Sequence, residues 1–220
     1  MIIKADNKSY FIFDLDDTLY SEIDYLKSAF ITIAGEIAPD IYKSLYDEML
    51  NSYLSGGDTF KLLIEKYSEK KLTIEKLLYL YRNHYPDITL RGGVLDLFTE
   101  IRKRKGRIGL ITDGRSIIQR NKLKALGIDK SFDRIVISEE FGCQKPDLSI
   151  FESFMSVKDN LTFYYIGDNV KKDFIAPNKL GWTSIGIVDN DNIYAKEIPE
   201  VPMEFLPHFF IKKITEIEII

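Results

Sequence analysis

The hydrophobic pattern changes its period along the chain, and each change marks a different kind of element. Tyr10 to Phe13 is an unbroken apolar run, the pattern of a strand buried on both faces in a parallel sheet covered by helices, and it runs straight into Asp14-Leu15-Asp16-Asp17-Thr18. From Glu22 to Tyr85 the apolar positions take helical spacing. Leu26, Ala29, Phe30 and Ile33 recur at i, i+3, i+4 and i+7, as do Tyr42, Leu45, Tyr46 and Met49, then Phe60, Leu63, Ile64 and Tyr67, then Ile74, Leu77, Leu78 and Tyr81. These stripes predict four amphipathic helices. The breaks between them are Pro39-Asp40, Ser55 to Asp58 and Lys71 to Thr73, where Asp40, Asp58 and Thr73 suit helix N-caps.

Beyond Pro86 helix and strand alternate. Val94, Leu97, Phe98 and Ile101 predict a helix stopped by Gly106, followed by a strand from Arg107 to Thr112. A helix from Ser116 to Leu126 stops at Gly127, Arg134 to Ser138 is a strand, and Leu148 to Val157 is a helix with Ile150, Phe154 and Val157 inward. Thr162 to Ile166 is a strand running into Gly167-Asp168, and a helix ends at Leu180-Gly181. A strand from Thr183 to Val188, a connection bearing Pro199, Pro202 and Pro207, and a strand from Phe209 to Ile211 follow. This alternation predicts the α/β class, a doubly wound parallel sheet, with an all-helical insertion after its first strand. The expected division is a core of residues 1–19 and 90–220 and an insertion of residues 20–89.

Composition narrows the chemistry. A chain of 220 residues, 45% hydrophobic, can bury a full core. Its single cysteine, Cys143, excludes an intrachain disulfide, and His84 and His208 have no zinc-ligand spacing. The net charge of −4 argues against a nucleic-acid binder, so an anionic ligand would need a local cation or a metal. No apolar run approaches membrane-spanning length and none resembles a signal peptide, which leaves a soluble, cytoplasmic chain, monomer or homodimer, as the expectation.

In open parallel sheets ligands sit beyond the carboxyl ends of the strands. Asp14 and Asp16, Thr112, Lys145 and Asp168 with Asp173 all follow predicted strands, so the carboxylates, the hydroxyl and the ammonium are expected at one sheet edge. A lone carboxylate in such a place is usually a cap or turn residue; several in one order are not.

On these residues the chain resembles the haloacid dehalogenase superfamily of phosphotransferases over essentially its whole length. Asp14-x-Asp16-x-Thr18 matches the first motif, and Thr112 in Ile108-Gly109-Leu110-Ile111-Thr112-Asp113-Gly114 the second. Lys145 in Gly142-Cys143-Gln144-Lys145-Pro146 matches the third, and Gly167-Asp168 followed by Asp173 the fourth. Each motif alone is weak, whereas four in order at strand ends are specific. The helical insertion matches the position of the α-helical cap in one branch of the superfamily. Ile137 to Gly142 and Ala176 to Trp182 look like nucleotidase or sugar-phosphatase members.

The resemblance implies a Mg²⁺-dependent phosphatase that hydrolyses a small-molecule phosphate ester, a nucleoside monophosphate or a sugar phosphate, through an aspartyl-phosphate. It makes Asp14 the nucleophile and Asp16 the acid/base, which protonates the leaving alcohol and then deprotonates water. Asp14, Asp168 and the backbone carbonyl of Asp16 would hold Mg²⁺, an oxygen-rich set that suits this ion. Thr112, the N–H groups of Asp113 and Gly114, and Lys145 would bind the phosphoryl oxygens, with Thr18 and Asp173 behind them. Asp16 needs a raised pKa to hold a proton near neutrality, and the neighbouring carboxylates are expected to supply it. A sugar phosphomutase shares every motif. A dehalogenase proper attacks carbon and needs neither the metal nor Asp16, and a phosphate-receiver domain carries its Asp alone and has no cap. Asp58, Thr59 and Arg115 are candidates for substrate contact, while Cys143 is expected to have no catalytic part.

Overall fold

The computed structural model describes residues 1–155, 160–188 and 201–220. It separates into two compact units, Ile23–Ile88 and the remainder, Met1–Glu22 with Thr89–Ile220.

The Ile23–Ile88 unit is all helical, as the stripes predict. It takes in α1 (Glu22–Ile37), which begins one residue earlier, α2 (Tyr42–Leu54), α3 (Thr59–Lys66) and α4 (Ile74–Asn83). Ala29, Phe30 and Ile33 of α1, Leu45 and Met49 of α2, Leu63 of α3 and Leu77 of α4 are buried. The Tyr25 hydroxyl donates to the Tyr81 carbonyl at 2.9 Å. Asp58 caps α3 by accepting the Lys61 N–H at 3.0 Å, and Thr73 caps α4 by accepting that of Lys76 at 3.2 Å. Asp40 does not cap α2. It lies inside a tight turn, Pro39–Ile41, opened by the fixed φ of proline, and α2 starts after Ile41 with no side-chain cap.

The other unit is the doubly wound sheet. A short strand β1 (Ile2–Ile3) pairs in parallel with β8 (Glu218–Ile219), a link between the chain's two ends that the pattern does not predict. The main sheet holds β2 (Ser9–Phe13), β3 (Arg107–Thr112), β4 (Arg134–Ile137), β5 (Thr162–Gly167), β6 (Thr183–Ile187) and β7 (Phe209–Ile211), all parallel, in the order β4-β3-β2-β5-β6-β7. The chain starts at the middle, winds to one edge, and returns to wind to the other. All five residues of β2 are buried, which accounts for its unbroken apolar run.

Helices α5 (Val94–Lys103), α6 (Ser116–Ala125), α7 (Ser138–Phe141), α8 (Leu148–Glu152) and α9 (Ile175–Lys179) cover the sheet and its edge. On one face Tyr10 and Ile12 pack with Phe151, Phe154 and Trp182, and Phe163 stacks on Trp182 at 4.6 Å. On the other, Phe13 meets Phe98 of α5 at 5.2 Å. Three predicted boundaries move. Ser138 opens α7 instead of closing β4, α8 ends at Glu152, and Lys105 rather than Gly106 takes the left-handed conformation after α5, with φ 63°. The expected inward Val157 and the connecting Pro199 lie outside the described residues. No helix among the described residues is long and apolar enough to cross a membrane.

Candidate active site

The strand ends β2, β3 and β5 assemble the expected residues. Asp14 follows β2, and its N–H donates to the Ile166 carbonyl of β5 at 2.8 Å, which seats the first carboxylate between two strands. Lys145, in the loop between α7 and α8, is fixed from below by its own N–H, which donates to Asp113 Oδ1 at 3.0 Å. Its ammonium reaches Asp14 Oδ1 at 2.6 Å and Asp173 Oδ1 at 2.7 Å and is 4% exposed. Asp173 is fully buried. Its Oδ2 accepts the N–H groups of Asp168 and Asn169 at 3.2 and 2.8 Å. A Cβ at position 167 would lie 2.6 Å from that oxygen, so the glycine of Gly167-Asp168 is the room Asp173 occupies.

One oxygen each from Asp14, Asp168 and Asp173 lie within 4.8 Å of one another. Hard carboxylate oxygens at this spacing fit Mg²⁺. Asp173 is already engaged by Lys145, by the Tyr165 hydroxyl at 3.0 Å and by two backbone donors, so Asp14 and Asp168 are the side chains placed to hold the ion and Asp173 to orient them. The electrostatics point the same way. Burial pushes Asp14 up to about 8, with Lys145 opposing and Asp173 and Asp16 adding to the rise. Asp168 is likewise raised well above the usual carboxylate range, by burial first and then by Asp173 and Asp14. Lys145 alone does not neutralise this group, and a divalent cation would.

Asp16 departs from expectation in two respects. Its carboxylate is not in the group of oxygens within 4.8 Å of one another, and is bound elsewhere, with Oδ1 taking the Lys122 ammonium at 2.6 Å and the Tyr20 hydroxyl, and Oδ2 taking the Gln119 amide at 2.8 Å. Nor do neighbouring carboxylates raise its pKa. Burial acts upward, yet Lys122 and the hydrogen bonds of Lys122, Tyr20 and Gln119 outweigh it and hold Asp16 below the ordinary value.

Thr112 is buried, and its hydroxyl also meets the Gln119 amide, at 2.5 Å. The Gly114 N–H, expected to bind phosphoryl oxygen, donates to Ser138 Oγ at 2.9 Å, because Ser138 opens α7 and directs its hydroxyl there. The Thr18 hydroxyl is buried with no hydrogen-bond partner, so it does not brace Asp16. Asp17 takes a left-handed conformation and accepts the Glu22 N–H at 2.8 Å, a turn role. Arg115 pairs with Glu139 at 3.6 Å. Asp58 is spent on capping α3, and the buried Thr59 hydroxyl donates to the Met49 carbonyl at 3.4 Å. Cys143 Sγ lies 3.3 Å from Ser149 Oγ.

Five participants escape the sequence reading, among them Tyr20, which follows the first motif and reads as a core aromatic. Gln119 and Lys122 sit on α6, where polar residues read as a solvated face, and Tyr165 reads as a core aromatic. Glu22, at the start of α1, is pushed up to about 7 by burial first, then by Asp16, with Lys122 opposing.

Known proteins place this arrangement. The model of the haloacid dehalogenase-like hydrolase family matches residues 11–187. The chain is 30% identical over 195 residues to the glyceraldehyde 3-phosphate phosphatase of Methanocaldococcus jannaschii, covering 80% of this chain and 83% of that one. It is 28% identical over 207 residues to the pyrimidine 5'-nucleotidase YjjG of Escherichia coli, with coverage of 87% and 89%. Among solved structures, a HAD phosphatase from Thermococcus onnurineus superposes with a TM-score of 0.59 at 18% identity over 97% of this chain and 95% of that one. The match runs from β2 through the helical insertion to the end of β6, and on that extent the chain belongs to the haloacid dehalogenase-like hydrolase family.

Proposed function

We propose that this chain is a Mg²⁺-dependent phosphatase that hydrolyses a small phosphorylated metabolite through an aspartyl-phosphate on Asp14. The observation that carries this reading is the Lys145 ammonium bridging Asp14 and Asp173 at 2.6 and 2.7 Å, beside the Asp168 carboxylate. A phosphate monoester resists attack because its own charge repels an anionic nucleophile. Asp14, Asp168 and the Asp16 carbonyl would hold Mg²⁺, which would supply charge neutralisation at the phosphoryl oxygens.

Lys145 adds a fixed positive charge, and Thr112 offers its hydroxyl at the end of β3. An Asp14 oxygen attacks phosphorus, the bond to the leaving oxygen breaks, and that oxygen takes a proton from Asp16. Asp16 must bind that proton first, the negative charge of the incoming phosphate ester raising its pKa against the pull of Lys122, Tyr20 and Gln119. Water then attacks phosphorus and gives a proton to Asp16. The bond to Asp14 breaks, and inorganic phosphate and the free carboxylate are regenerated. Triose and sugar phosphates and nucleoside monophosphates are the substrate classes to try first, since the two relatives act on such esters by name.

The test is phosphate release from a panel of these esters with Mg²⁺ and after EDTA treatment, with a sugar 1-phosphate also assayed for isomerised product. Release that requires Mg²⁺ is expected. Full activity without a divalent ion, or isomerisation in place of release, would overturn the reading.

A further inference from the structure

We infer that Lys122 and Gln119 of α6 are positioning residues that hold the Asp16 carboxylate in place for the water-activating half of the reaction. The inference rests on the phosphatase reading above and on geometry alone.

Three side chains grip this one carboxylate. Lys122 lies 2.6 Å from Oδ1 with its side chain 5% exposed, and its ammonium also sits 5.6 Å from the centre of the Tyr20 ring. Tyr20, which donates to the same oxygen, is itself fully buried. Gln119, 1% exposed, spans the remaining gap: its amide nitrogen is 2.8 Å from Asp16 Oδ2 and 2.5 Å from Thr112 Oγ1. A Cβ at position 114 would press against the Gln119 side chain at 3.3 Å, and Gly114 has φ +137°, a conformation that side-chain-bearing residues rarely adopt. The glycine of Thr112-Asp113-Gly114 therefore admits the residue that ties the acid/base to the phosphoryl-binding hydroxyl.

Packing does not explain a lysine here. A buried ion pair as a whole contributes no more to stability than well-packed apolar side chains of similar volume, so filling the space between α6 and Asp16 does not require this pair. What the ammonium and the amide add is direction. An ionised carboxylate offers about four acceptor sites, and three are taken by Lys122, Tyr20 and Gln119. The carboxylate can neither rotate nor tilt without breaking one of these bonds, and it is left with room for one incoming proton. That is the requirement of the second step: water's oxygen bonds to phosphorus, its proton passes to Asp16, and the bond from phosphorus to Asp14 breaks.

The experiment is rapid acid quench of the Mg²⁺-loaded protein with ³²P-labelled substrate, comparing wild type with Lys122→Met, Lys122→Arg and Gln119→Met. It uses p-nitrophenyl phosphate, whose leaving group needs little protonation, and an alkyl phosphate. In Lys122→Met, phosphorylation of Asp14 by p-nitrophenyl phosphate is expected to survive while decay of the phosphoenzyme slows roughly tenfold to a hundredfold, so labelled protein accumulates. On the alkyl phosphate both steps slow and label does not accumulate. Gln119→Met should show the same pattern more weakly, and Lys122→Arg should recover part of the decay rate. A structural role would lower the active fraction and leave the decay rate of labelled protein untouched. Wild-type decay in Lys122→Met overturns the inference; should that variant not fold, wild-type decay in Gln119→Met does. A wild-type protein that releases phosphate from no ester overturns the phosphatase reading itself, an outcome the variants cannot mimic.

Discussion

Asp14 and Asp16 leave the same strand two residues apart, and the protein surrounds them with opposite environments. Asp14 faces buried carboxylates with one lysine among them and is pushed up to about 8, by burial first, with Lys145 opposing and Asp173 and Asp16 adding. Asp16 faces three donors and no carboxylate within bonding distance, and is held below its ordinary value although burial pulls upward. Identical side chains thereby differ in the charge state each can keep, because the neighbours decide it, and this difference suits the separate tasks proposed for them. One centre awaits positive charge, and the other already has it.

Removing the first carboxylate is the most severe way to test this contrast. Asp14→Asn should lower phosphate release on the order of a thousandfold or more, since no attacking oxygen remains. Asp168→Asn should leave residual activity that rises with added Mg²⁺. Activity of Asp14→Asn near wild type would move the nucleophile elsewhere.

Removing the lysines separates the centres by stability. Lys145→Met leaves Asp14 and Asp173 buried together without a cation, and such breakage costs about 3–5 kcal/mol. Lys122→Met should cost clearly less, because Asp16 keeps Gln119 and Tyr20 and is 21% exposed. Urea unfolding of both variants measures this. Equal losses would mean that the two environments are not different in kind.

Replacing the second carboxylate sharpens the division of roles. Asp16→Asn should lower turnover of an alkyl phosphate by roughly a hundredfold and that of p-nitrophenyl phosphate by less. An equal loss on both esters would assign Asp16 to structure or metal binding.

The pH dependence of stability gives the contrast a sign. Asp14 is raised on folding, from 3.8 to about 8, so between those values the folded chain keeps a proton that the unfolded chain releases. Its contribution is full below the lower value and is lost as pH rises through the upper one. Asp16 is lowered on folding, so its contribution is present above its ordinary pKa and is lost only as pH falls further. Between roughly pH 5 and pH 8 Asp14 therefore acts while Asp16 is silent, and metal-free protein should lose stability with rising pH by no more than about 1.4 kcal/mol per unit for this one group. Asp168 is raised as well and adds to the slope. Thermal unfolding in EDTA should show the decline, reduced in Asp14→Asn and flattened by Mg²⁺.

What was legible in the chain follows from distance along it. Asp14, Thr112 and Asp168 each adjoin a strand end, so a local apolar run predicts where they stand. The doubly wound parallel class was equally accessible, because strands that alternate with helices admit few topologies, while the strand order itself comes from the structure. Lys122 and Gln119 reach Asp16 from more than a hundred residues away on an amphipathic helix, and no local pattern distinguishes a lysine facing a carboxylate from one facing water. The lowered pKa of Asp16 is hidden from the sequence for the same reason, since Lys122 and Gln119, two of the groups that lower it, lie far along the chain. Asp40 was misplaced because a proline-opened turn and a helix cap share their residue preferences, and only backbone geometry separates them.

A third aspartate sets the lower limit of the series. Asp58 is exposed, lies in the helical unit, and bonds a single backbone N–H, that of Lys61 at 3.0 Å. It also borders a cavity of about 270 Å³ lined by Leu26, Phe30, Tyr53 and Phe60. If capping is its whole task, the side chain needs an oxygen acceptor and no charge. Asp58→Asn should then match wild type in thermal midpoint and in kcat/KM across the ester panel, while Asp58→Ala loses about 1 kcal/mol, the usual value of an N-cap. Both should hydrolyse p-nitrophenyl phosphate at the wild-type rate. A change in substrate ranking in Asp58→Asn, with its cap intact, would instead make the charge itself a reader of the leaving group, since the helix would be unaltered and only the carboxylate's sign removed.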